Sequence, residues 1–115
     1  MREIKIRAWS KRRNKWVSPM TNFSFVTADL TTEFKDTEEI AYSQYTGLKD
    51  KNNKEIYEGD IIQFSNGNLG EVTWSHLRAG FDVAFANAMP EELDNNLASD
   101  CVVVGNIYEN KELLE

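Results

Sequence analysis

Between Gln44 and Ile61 the chain reads QYTGLKDKNNKEIYEGDI, two chain reversals within eighteen residues. Asp50-Lys51-Asn52-Asn53 gathers residues that tolerate positive φ or bond their own backbone, so a tight turn is expected there. Lys54-Glu55-Ile56-Tyr57 then alternates polar and apolar residues, the pattern of a half-buried strand. Glu58-Gly59-Asp60 turns again, with Gly59 where a Cβ would be forbidden, and Gly47 is read in the same way. Ile61-Ile62-Gln63-Phe64 opens a new strand. The chemistry of this stretch is that of turns, and a Gly-Asp turn entering an apolar strand is common at the start of small SH3-like barrels.

The rest of the chain continues the β pattern. Arg2 to Trp9 alternates, with Ile4, Ile6 and Ala8 on one face and Glu3, Lys5, Arg7 and Trp9 on the other. Ser10-Lys11-Arg12-Arg13-Asn14 is a polar reversal, and Lys15-Trp16-Val17 resumes the strand, giving a hairpin with a very basic tip. Pro19 ends it, because proline cannot donate to a central ladder. Asn22 to Thr27 alternates again, Asp29 to Glu39 reads as a loop, or a loop with one helical turn, and Ile40 to Tyr45 as a short strand. Ile61–Phe64 and Leu69–Trp74 flank Ser65-Asn66-Gly67-Asn68, the clearest hairpin in the chain.

After a reversal at Leu77-Arg78-Ala79-Gly80, Phe81, Val83 and Phe85 form the inner face of a further strand. Pro90-Glu91-Glu92-Leu93 is read as the start of a short helix, with proline in the first turn and acids at its positive end. Cys101 to Tyr108 is read as a last strand buried on both faces, and Glu109 to Glu115 as an acidic tail with one helical turn. The expected fold is therefore mainly β with minor α. It is a small SH3-like barrel or rolled sheet with an N-terminal hairpin packed beside it. One domain over 1–115 is expected, with an N-terminal β part (1–45) and a barrel-like part (46–115).

A hydrophobic content of 41% and a charged content of 28% are ordinary for a globular chain. No apolar run approaches membrane-spanning length and the N-terminus alternates, so the protein is expected in the cytoplasm, with no membrane partner. The net charge of −6 conceals a division. Residues 1–20 carry seven Lys or Arg against Glu3 alone, giving +6, while the other ninety-five hold six basic and eighteen acidic side chains, giving −12. A chain divided in this way can use its basic end on nucleic acid or on the acidic face of another copy of itself.

Candidate chemistry is sparse. His76 is the only histidine and Cys101 the only cysteine, so one chain cannot assemble a zinc site of these ligands. His76 reads as a polar turn residue and Cys101 as a small buried hydrophobe. Asp50, Glu58 and Asp60 sit in turns, where carboxylates bond local amides; no metal or cofactor is expected. The basic tip is the strongest functional candidate: Trp9, Lys11, Arg12, Arg13, Lys15 and Trp16 combine aromatic planes with cations, the set that stacks bases and neutralises phosphates.

The central stretch, the opening Arg2-Glu3-Ile4-Lys5-Ile6-Arg7-Ala8-Trp9 and the closing Gly105-Asn106-Ile107-Tyr108-Glu109-Asn110 together resemble the YopX family of phage and prophage proteins. The pieces stand in the family's order and span nearly the whole chain. Three departures occur: Asn53 where the family usually has Gly, Ser10 where Asp is common, and Lys111 where Pro often follows the closing Asn. The resemblance implies a small phage-encoded protein of undefined function. Together with the charge division it leads to the expectation of a non-catalytic, self-associating module acting on a host or phage protein. Gly47, Asp50, Gly59 and Asp60 are its structural motif, and a nucleic-acid-binding accessory factor is the alternative.

Overall fold

The N-terminal alternation yields β1 (Ile6–Ser10) and β2 (Lys15–Val17), which pair antiparallel with Trp9 opposite Trp16 in a computed structural model that describes residues 4–17 and 40–114. The readings for Pro19, Asn22–Thr27 and Asp29–Glu39 lie outside those residues. The described residues form two compact units, dividing between Gln44 and Tyr45, with Ile4 belonging to the second. In the first unit, β1 also pairs with the leading half of β3 (Ile40–Lys49), Ala8 opposite Tyr42. The apolar face expected from Ile4, Ile6 and Ala8 is not uniformly buried. Ala8 is fully covered, whereas Ile4 and Ile6 are exposed.

In the second unit, the trailing half of β3 pairs with β4 (Glu55–Tyr57). Five further strands form an antiparallel sheet that curls into a half-barrel: β5 (Asp60–Phe64), β6 (Leu69–Ser75), β7 (Gly80–Phe85), β8 (Glu91–Glu92) and β9 (Cys101–Asn106). Their order is β8-β7-β6-β5-β9. The chain is therefore mainly β, as expected, and among the described residues it has one four-residue helix, α1 (Asn95–Ala98), and a 3-10 turn at Lys111–Leu114. Alternation on β6 and β7 sends Val72, Phe81 and Val83 inward, where they meet Ile56, Ile62, Phe64, Leu93, Ala98 and Cys101. Burying each large aliphatic side chain of this set contributes about 1.5–3 kcal/mol, which makes it the main source of cohesion in the unit. The Asn66-Gly67 turn forms as expected: Gly67 has φ 92 and donates to the Phe64 carbonyl, and Asn66 Oδ1 accepts from Asn68 N at 2.9 Å.

Two readings are corrected. Glu91 and Glu92 pair as β8 with Val83 and Asp82, and Leu93 N donates to the Phe81 carbonyl, so no helix starts at Pro90. The helix begins later because Asp94 caps it, its Oδ1 accepting from Leu97 N at 2.9 Å. The last strand stops at Asn106 rather than Tyr108, and it lies at the edge of its sheet with Val104 40% exposed. It is therefore not buried on both faces.

Candidate functional site

The basic hairpin tip is held by its own first residue. Ser10 is buried; its carbonyl accepts from Asn14 N at 2.7 Å, its hydroxyl accepts from Arg13 N at 3.1 Å, and Asn14 closes the turn at φ 59. An aspartate at position 10 would cap the same amide, so the family departure there preserves the contact. Lys11, Arg12, Arg13 and Lys15 all stand exposed on this fixed turn.

The tryptophans are placed differently from the cations. Trp9 is only 5% exposed and meets Trp16 edge to face, the ring centres 5.0 Å apart and the planes at 77°. The Arg7 guanidinium lies 4.4 Å over the Trp16 ring, and Arg7 Nε donates to Ser43 Oγ at 3.1 Å. The six residues thus share one hairpin, but its aromatic pair is taken up with internal contacts while its cations face outward.

The central stretch is a brace. At Gly47, φ 90, β3 bulges so that Thr46 to Leu48 face Ile56 alone; Thr46 Oγ1 donates to the Ile56 carbonyl at 2.8 Å and accepts from Leu48 N at 3.1 Å. The next turn closes through Asn53, at φ 67, whose amide donates to the Asp50 carbonyl. Asparagine therefore occupies the left-handed position where the family usually has glycine, and it is among the Cβ-bearing residues best suited to it.

Asp50 is buried and accepts three backbone amides: Asn52 and Lys54 on Oδ1 at 2.8 and 2.9 Å, and Val103 on Oδ2 at 2.9 Å. Lys51 N donates to the Cys101 carbonyl at 3.0 Å, so this turn covers the outer edge of β9 at two successive outward positions.

A second brace covers the far end of the same edge. Gly59, φ 90, donates to the Val72 carbonyl and accepts from Ile107 N. Asp60 is 1% exposed and its Oδ2 accepts from Tyr57 N at 2.8 Å. Asn106 Oδ1 accepts from Tyr108 and Glu109 amides, while Asn110 exchanges two bonds with the Asn106 backbone. The space above Gly105 is filled by the Asn110 side chain, 2.6 Å from where a Cβ would stand. Sequence reading did not single out Ser10, Thr46, Asn106 or Asn110 for these contacts. The available signal was local, since each is a residue that bonds nearby backbone. Lys111 opens the 3-10 turn, a first helical position that also suits proline.

Burial pushes the Cys101 thiol up to about 11, with Asp50 and Asp100 adding to the shift, and Cys101 Sγ donates to the Ala98 carbonyl. Burial also raises Glu71, Lys111 opposing and Glu58 reinforcing the shift. His76 is exposed in the β6–β7 turn. Among the described residues no three His, Cys, Asp or Glu are grouped so as to hold a metal ion.

These features define a class: a small, mainly β protein whose reversals are locked by buried Asp and Asn side chains and which presents one basic hairpin. The chain belongs to the YopX family, whose model, described as YopX protein, matches residues 5–115. It is also similar to a solved structure, the crystal structure of protein EF1440 from Enterococcus faecalis. The two share 25% identity and a TM-score of 0.73, with 100% of each chain covered. No curated protein matches the chain. Among the described residues no helix is long and apolar enough to cross a membrane.

Proposed function

We propose that this chain is a phage- or prophage-encoded, non-catalytic interaction module that associates with itself and acts on a host or phage protein in the bacterial cytoplasm. The rolled sheet is SH3-like by arrangement in this reading. The observation that carries the proposal is the basic hairpin: four exposed cations on a turn fixed by Ser10, in a chain whose residues beyond 20 carry −12. A non-catalytic role is supported by the work the reactive groups already do. Asp50 accepts three amides, Asp60 accepts the Tyr57 amide, and Cys101 is buried with its thiol held protonated. Sedimentation velocity at high micromolar concentration and low salt should give a species larger than the monomer, which dissociates as salt screens its charges. A monomer throughout would contradict the proposal.

The same four exposed cations favour a second reading, a nucleic-acid-binding accessory factor. With Trp9 buried and Trp16 covered by Arg7, phosphate contacts would carry such binding, and these weaken steeply with salt. Fluorescence anisotropy with single- and double-stranded oligonucleotides should find little binding at about 0.15 M salt, where the Debye length is near 8 Å. Sub-micromolar affinity there would put this second reading first.

A further inference from the structure

If the chain self-associates, its curled sheet offers poor edges for doing so. The outer edge of β9 is occupied by Asp50, Lys51 and Asn110. The opposite edge is the two-residue β8, whose residues are both glutamates. Short, charged or covered edges resist strand addition, so on this sheet side chains rather than backbone are the groups able to make the contact.

The charges that could make it are sharply segregated. From Ile4 to Val17 there are six Lys or Arg and no acid; from Ala79 to Asn110 there are six Asp or Glu and no Lys or Arg. Within the second segment, Glu91, Glu92, Asp94 and Asp100 are exposed between β8 and the start of β9. Arg78 pairs with Glu92 at 3.2 Å and with Asp82, Asp94 caps α1, and Asp100 Oδ2 accepts from Ser65 Oγ at 3.1 Å. Glu92, Asp94 and Asp100 are thus held by local contacts, and the backbone of the basic turn is held by Ser10. A backbone already held on both sides lowers the ordering cost of their meeting.

We infer that the β1–β2 hairpin tip of one copy docks on the Glu91–Asp100 surface of a second copy. A chain carrying both surfaces can offer each of them to a second copy. Two basic hairpins placed face to face would instead repel, which excludes hairpin-to-hairpin pairing. This inference rests on the proposed self-association and adds the surfaces that make it.

The experiment is a charge swap, read by sedimentation on the full chain. K11E/R13E and E91K/D100K should each weaken self-association about tenfold or more, since like charges then face each other. Mixing the two variants should restore a heterodimer, because the reversed hairpin of one then meets the reversed surface of the other, and the unchanged hairpin and surface also remain complementary. Circular dichroism and thermal melts matching wild type would establish that both variants fold; should E91K/D100K not fold, E91K alone replaces it in the same mixture. A wild-type monomer would overturn the self-association reading itself. Wild-type association that both variants retain, or variants that each weaken but do not rescue one another, would overturn only the assignment of these surfaces.

Discussion

Asp50 Oδ2 accepts the backbone amide of Val103 at 2.9 Å, joining residues 53 apart in sequence. The same carboxylate holds its own turn through Asn52 and Lys54, so one side chain fixes a hairpin and anchors it to the edge of β9. That dual role explains why an acid stands buried where a turn alone would accept Asn or Ser.

Asp50→Ala should destabilise the protein by about 2–4 kcal/mol, because it leaves three amides without their acceptor, one of them on a strand edge. Asp50→Asn should cost less, since one amide oxygen can still accept. Urea unfolding followed by tryptophan fluorescence measures both. Wild-type stability in Asp50→Ala would mean that the brace contributes nothing.

Gly59 and Gly47 share φ 90, but their surroundings differ. A Cβ on Gly59 would lie 3.3 Å from the Tyr108 ring, whereas one on Gly47 meets nothing within 4 Å. Substitution by alanine should cost about 1–3 kcal/mol at Gly59 and fall at the lower end of that range at Gly47, where only backbone strain acts. Gly59→Val should exceed Gly59→Ala. Equal effects at the two glycines would contradict the part assigned to Tyr108.

Cys101 should resist thiol reagents in the folded protein and react only as fast as the protein unfolds. Its folded pKa, raised from 9.0 to about 11, sets the sign of a pH effect. Below about pH 9 the thiol is protonated in both states and its contribution to stability is complete. As pH rises toward 11 the unfolded state loses its proton first, so stability falls across that window. Cys101→Ala should shrink this alkaline loss. Rapid labelling under native conditions would contradict the buried placement.

The turns were legible because their rules are local. Asp50–Asn53, Gly59 and Asn66-Gly67 each advertise a reversal through residues that accept positive φ or bond adjacent amides. The inner faces of β6 and β7 were legible from strict alternation. What the sequence did not disclose depended on distant partners. Nothing near Asp50 points to Val103, and an apolar run such as Cys101–Val104 looks the same at a sheet edge as at its centre. Pro90-Glu91-Glu92 carries genuine helix-start chemistry, yet the Phe81 carbonyl draws the Leu93 amide and leaves Glu91 and Glu92 in a strand. Trp9 was placed correctly on the hairpin, but its burial against Trp16 depends on cross-strand pairing that alternation does not specify. Ala79, at φ 52, takes the left-handed place in its turn although Gly80 adjoins it, because Gly80 is already paired with Ser75.

Asp50, the carboxylate of the family motif, is architectural, and hydrogen exchange at a single amide reports on that role. The Val103 N–H points away from β5 toward Asp50, so its protection depends on that carboxylate and not on the sheet ladder. Native-state exchange by NMR should find Val103 protected to a degree comparable with the amides of β5 and β6. In Asp50→Ala that protection should drop further than theirs, because the amide then opens to solvent without wider unfolding. A Val103 amide that exchanges in the wild-type protein as fast as an exposed loop amide, while β5 and β6 remain protected, would contradict the claim.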